Sequence, residues 1–230
     1  MIAIRDLGFS GAGLSLHRFG LEVRNGEIFF LLSSEEGMTA RLFGMAGGFL
    51  PIPEGAIAFD GEDVRPWRAV ERSAFLEKIS DKADFETEAS LGDWLDFMID
   101  ACSLSREACI ETLVRMNFSE RDLKKRVREV EMDVFKMVYL AVEFARDRPN
   151  VVIHDFCRGG EKNFEFKFDR LLVRKRDEGK AILYLTEDIF YAAQIADRIG
   201  FIKRGQLLFE ATADDLREMD IQQLHMRFLT

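Results

Sequence analysis

Cysteine is scarce in this chain. The 230 residues hold three, Cys102, Cys109 and Cys157, with no CxxC pair among them, so neither a disulfide framework nor a thiolate-pair zinc site is encoded and a reducing compartment suits the chain. Proline is limited to four residues, and no Pro/Gly linker, low-complexity tract or internal repeat cuts the sequence into pieces. No apolar run approaches the roughly 18 to 20 residues that span a bilayer, and Met1 to Ile4 runs into folded-looking sequence without a signal h-region. Positive charge is also short: 32 Lys and Arg face 41 Asp and Glu, for a net charge of −9 and a pI near 5.0. Nucleic-acid affinity is built from phosphate neutralisation, so this balance opposes a nucleic-acid partner. Only Arg121 to Arg128 is locally basic, and a solvated helix face explains it. These absences lead us to expect a cytoplasmic chain, with any membrane role peripheral.

What is present is enough for a sizeable core. With 47% hydrophobic and 32% charged side chains, a chain of this length buries roughly 70% or more of its unfolded surface and needs no metal or cross-link to fold. Met1 to Leu7 and Leu14 to Val23 read as strands, and the Asn25-Gly26 turn leads into a third, Ile28-Phe-Phe-Leu-Leu32. Ser33 to Gly37 then forms a loop before a helical stretch, Met38 to Met45. A strand and turn follow at Gly55 to Gly61, and helical periodicity runs from Glu86 to about Ala145. Strands return at Val151 to Ile153 and Ala181 to Leu185, each preceded by a helix and a turn, which implies parallel βαβ units. We expect Val151 to Ile153 to be central, between the Ile28 and Ala181 strands. Ile199 to Phe209 reads as a closing hairpin and Asp214 to Leu229 as a helical tail.

This order resembles the nucleotide-binding domain of ATP-binding cassette (ABC) proteins over nearly the whole chain. Leu31-Leu32, then Ala46-Gly47-Gly-Phe-Leu50-Pro51 and Gly55-Ala-Ile-Ala-Phe-Asp60-Gly61-Glu-Asp63-Val64, follow the family's strand, helix and "AGLxxPxxGxIxxDGxDV" pattern. Arg148-Pro149-Asn-Val-Val-Ile-His-Asp155 resembles the strand that carries the Walker B aspartate, and Ala193 to Arg198 (AQIADR) resembles the family's C-terminal end. The resemblance implies an α/β P-loop core with a parallel sheet, an N-terminal antiparallel β part and a helical subdomain. It sets one domain, with a core at 1–85 and 137–213, a subdomain at 86–136 and a tail at 214–230.

The frame survives and the reactive groups do not. The family's GxxGxGKST falls on Ser33 to Arg41, which puts Ser33 and Glu36 at glycine positions, Gly37 out of register, Thr39 at the lysine and Ala40 at the magnesium-binding hydroxyl. A phosphate loop needs glycines so that successive N–H groups turn toward a phosphate, and a lysine to reach it. Glu35 and Glu36 do the reverse, because like charges about 4 Å apart cost roughly 4 kcal/mol at an effective dielectric near 20. Asp155 remains, but Phe156 stands where the family's water-polarising glutamate would be. Glu187 takes the switch-histidine position, and LSGGQ falls on Val130-Glu-Met-Asp-Val134. The magnesium-sensing glutamine would fall near Asp81 or Lys82, and the adenine-stacking aromatic after Phe9-Ser10 gives way to Gly11-Ala12-Gly13.

By this resemblance the chain is a catalytically inactive ABC ATPase-like subunit with no catalytic residue, no metal and no cofactor, ATP and magnesium binding at most weakly. The implied partners are an ABC permease, an active ABC ATPase, or a second copy of the chain. The alternative is a weakly active subunit that completes one half of a composite ATP site. Candidates for docking are Phe85, Trp94 and Phe97, near the cleft where family members receive a permease. Elsewhere the bland readings compete. Asp155 fits a loop anchor, His154 a core histidine, and Phe29, Phe30, Phe43 and Phe49 sheet packing. Phe164-Glu-Phe-Lys-Phe168 either presents alternating rings or opens a helix that buries Phe164, Phe168, Leu171 and Leu172.

Overall fold

A computed structural model describes residues 1–11, 13–53, 56–63, 69–79 and 88–228. The chain divides into two compact units, one made of 1–77, 148–155 and 172–230, the other of 78–147 and 156–171. Gly55, Val64, Asp81, Lys82 and Phe85, named above, lie outside the described residues, as does Ala12.

The first unit contains two sheets. Strands β1 (Ile2–Gly11) and β2 (Leu14–Val23) form an antiparallel pair, and β1 also pairs with β4 (Ile57–Phe59), which is followed by β5 (Glu62–Asp63). Their alternation of buried and exposed side chains is that of a sheet covered on one face. The second sheet runs β10 (Gln206–Thr212), β9 (Arg198–Lys203), β3 (Glu27–Ser33), β8 (Ala181–Thr186), β7 (Asn150–His154), β6 (Ser73–Glu77). All but β10 are parallel. Every side chain of β3 and β8 is buried, the unbroken apolar run expected of a parallel strand covered on both faces. Ile2, Ile4, Leu7, Phe19, Phe29, Leu31, Leu42 and Leu183 share one core.

The order corrects one expectation. Val151 to Ile153 lies in β7, flanked by β8 and β6; the strands beside Ile28 to Leu32 are β8 and β9. Phe49 is also not a sheet-packing residue: it is 66% exposed, with its ring edge-on to Phe75. Phe29, Phe30 and Phe43 are buried.

Helix α1 (Met38–Ala46) follows β3, and a short helix α2 (Ala69–Arg72) precedes β6. After β8, Asp188 caps helix α7 (Ile189–Ile195) by accepting the Tyr191 N–H at 3.0 Å. Asp197, in the AQIADR stretch, joins two elements: Oδ2 accepts the Ile28 N–H of β3 at 2.8 Å while Oδ1 takes Arg176 at 2.9 Å. Helices α8 (Ala213–Glu218) and α9 (Ile221–Phe228) end the chain.

The second unit is helical. Helix α3 (Leu91–Ala101) starts at Ser90, whose hydroxyl accepts the Asp93 N–H while Asp93 takes the Ser90 N–H, a reciprocal capping box. Helices α4 (Arg106–Arg115) and α5 (Met132–Ala145) follow, and the first half of α6 (Lys162–Asp177) completes the unit. The Phe164 to Phe168 segment is helical. Phe164, Phe168, Leu171 and Leu172 are buried and Phe166 is 60% exposed, so the alternating rings fall on different faces of one helix.

Candidate functional site

The resemblance expects the phosphate loop between β3 and α1, and the polar groups there bond to other parts of the chain. Ser33, buried at the end of β3, accepts the Glu35 N–H on Oγ at 3.1 Å, and the Glu35 carbonyl accepts the Met38 N–H at 3.0 Å. The Glu35 carboxylate accepts the backbone N–H of Arg204, in the turn between β9 and β10. Gly37 sits at φ 78°, a left-handed conformation that glycine adopts without strain, and its carbonyl takes the Arg41 N–H at 2.9 Å. Glu36 and Gly37 are exposed.

Thr39, which the resemblance aligns with the lysine, is buried, with its hydroxyl 3.3 Å from Nε2 of His154 at the end of β7. Ala40 is exposed and offers no oxygen to a cation. Arg41 points its guanidinium over the Phe9 ring, 4.8 Å from the centroid, and its buried Nε has no hydrogen-bond acceptor among the described residues.

Asp155 closes β7 at φ 46° and is buried. Its N–H donates to the Leu185 carbonyl at 3.2 Å, and its Oδ1 accepts the Thr186 hydroxyl at 2.5 Å. That places it as an anchor for the end of β8. Glu187, next in the chain, is half-buried.

In the helical unit, Phe156 is fully buried and packs against Phe168 at 5.4 Å, Phe164 at 6.2 Å and Tyr139 at 6.2 Å. An aromatic ring at this position can neither accept a proton nor orient water. Glu131 precedes the first turn of α5 without capping it by a side-chain bond. Asp133 instead reaches the loop after Phe156, where its Oδ2 accepts the Glu161 N–H at 2.8 Å. Trp94 is half-buried against Phe135, with centroids 5.2 Å apart, whereas Phe97 is 66% exposed. Among the described residues, no group of three or more His, Cys, Asp and Glu side chains could hold a metal ion, and no helix is long and apolar enough to cross a membrane.

By sequence, no family model and no curated protein matches the chain. By structure the likeness is extensive. An ATP-binding subunit of an ABC transporter superposes with a TM-score of 0.79 at 18% identity, over 98% of each chain. CbiO1 of Clostridium perfringens, described as part of the ABC transporter complex CbiONQ, gives 0.78 at 16%, over 98% of this chain and 94% of that one. The ADP conformation of MJ1267, an ATP-binding cassette of an ABC transporter, gives 0.80 at 12%, over 99% and 98%. The chain has the ATP-binding cassette fold.

Within that fold, sequence reading missed a buried charge on α5. Lys136 is 2% exposed on α5, and its ammonium lies 5.5 Å from the centroids of both Phe156 and Phe164. Burial pushes its pKa below the ordinary lysine value, Asp133 and Cys157 oppose that, and Lys78 adds to it. A signal was available: Lys136 occupies the same i, i+4, i+8 row as Leu140 and Phe144, both buried.

Proposed function

We propose that the chain is a catalytically inactive cassette subunit of an ABC-type membrane transport complex, docking a permease, an active cassette ATPase, or both. One observation carries the reading: the residues at the reactive positions are employed inside the fold. The Glu35 carboxylate is on a backbone N–H, Thr39 is on His154, Asp133 holds the loop after Phe156, and Phe156 is core. A magnesium nucleotide fits these positions poorly, since Ala40 supplies no oxygen, Thr39 no charge, and Glu35 and Glu36 repel phosphate.

The frame supports the choice of partner. The chain spans nearly the full length of cassettes described as transporter subunits, one of them part of the CbiONQ complex. We assign the docking surface to the helical subdomain at 86–136, with Phe97 and Trp94 as its anchors and Phe85 as a further candidate by sequence. Its place is the cytoplasmic face of the membrane, reached through the permease.

Calorimetric titration of the full chain with MgATP tests the first half. The expected result is no saturable heat below about millimolar nucleotide, a Kd weaker than the ~1 mM that corresponds to −4.1 kcal/mol. A micromolar constant would overturn it and favour the composite-site role. Co-expression with a permease and a cassette ATPase from neighbouring genes tests the second, and failure to co-purify with either would count against docking.

A further inference from the structure

The helical unit contains a cavity of about 530 Å³, within the ~300–1,000 Å³ range of small-molecule sites. Its lining is unusual for such a site. Lys78, Lys136 and Arg158 supply positive charge, and Glu131, Asp133 and Glu161 supply negative charge. Lys136 is the buried member, held between the faces of Phe156 and Phe164, and its ammonium makes no hydrogen bond or ion pair with the described residues. Asp133 and Cys157 oppose the cost of burying this ammonium but do not cancel it, so the group gains from an incoming carboxylate. The first N–H groups of α5 open at the same wall, next to Glu131 and Asp133, and have no side-chain cap.

The balance of charge narrows the ligand. A phosphate or other polyanion would satisfy Lys136 but would meet the carboxylates of Glu131, Asp133 and Glu161 at close range. A simple cation would suit those carboxylates and leave Lys136 worse off. The lining is matched by a molecule that is neutral overall and carries both charges a short distance apart. We propose that this cavity binds a small zwitterion of the α-amino-acid class, its carboxylate on Lys136 and its ammonium on Asp133 and Glu131. The cavity takes in Glu131 and Asp133, where the signature motif falls, but not the loop between β3 and α1, so the inference does not rest on whether that loop holds a nucleotide.

The experiment uses the full chain and titrates each standard amino acid separately by calorimetry, with acetate, ethylamine and inorganic phosphate as single-sign probes. At least one amino acid should bind saturably, about tenfold or more tighter than acetate, ethylamine or phosphate, the equivalent of about 1.4 kcal/mol. Lys136→Met, which replaces the ammonium by an apolar group of similar length, should weaken that binding at least about tenfold while the chain remains folded by circular dichroism. Lys78→Ala, at an exposed position, is the second variant and should weaken binding to a smaller extent. No saturable binding by any amino acid would overturn the proposal. So would phosphate binding more tightly than every amino acid, or undiminished amino-acid binding by a folded Lys136→Met chain.

Discussion

At the scale of single residues, Lys136 sets a pH response that can be read without any ligand. Its pKa in the folded chain lies below the ordinary 10.5, because burial disfavours the charged form. Between those two values the unfolded chain holds a proton that the folded chain has released, so stability rises with pH through that window. Below the folded value both states are protonated and the full cost of the buried charge is present. Urea denaturation at stepped alkaline pH should therefore show a rise that Lys136→Met lacks, and at neutral pH the variant should be at least as stable as the parent. A variant less stable at neutral pH, with the same pH slope, would show that the ammonium is a net contributor. The expected replacements, Thr39, Ala40, Phe156 and Glu187, rest on the resemblance of the frame alone. Their engagements were not. That Glu35 would reach the Arg204 N–H, or Thr39 meet His154, depends on chain segments far apart in sequence.

At the scale of elements, α6 offers the sharpest contrast. Phe168 is fully buried against Phe156 and Phe164, and Phe166 is two residues away on an exposed face. Phe168→Ala should cost about 3 to 5 kcal/mol, the usual loss for removing a buried ring. Phe166→Ala should stay within about 0.5 kcal/mol of the parent, as surface substitutions do. Equal losses in chemical denaturation would mean that the helix presents a different face. The existence of this helix could be argued from spacing, as could β3, β8, the Asn25-Gly26 turn and the closing hairpin. Strand order could not, because β3, β7 and β8 are all short apolar runs, and a run buried on both faces carries no mark of its neighbours. Phe49 failed for a related reason: an aromatic residue near a sheet edge can cap a neighbour's ring and still face water.

At the scale of the whole molecule, two measurements separate a chain that keeps its fold for docking from one that keeps it for nucleotide. A ligand that binds only the folded state raises the melting temperature, so MgATP at saturating concentration would shift the melt of an ATP-binding cassette. The expected result is no shift, and several degrees of stabilisation would argue for a working site. Docking is tested on the exposed rings. Phe97, 66% exposed on α3, shares its unit with Val114, 69% exposed on α4. Contiguous apolar patches mark surfaces that a partner covers, and aromatic anchors carry a disproportionate part of such interfaces. Phe97→Ala should leave the melting temperature within a degree or so of the parent and weaken co-purification with the membrane partner by about 1 to 3 kcal/mol, the range of an interface anchor. Trp94→Ala should behave differently, because Trp94 is half-buried and packed on Phe135. Its loss should lower the melting temperature as well as the association. If Phe97→Ala leaves association untouched while Trp94→Ala weakens it only in step with stability, the exposed face of α3 is not a docking surface and the proposed assignment fails.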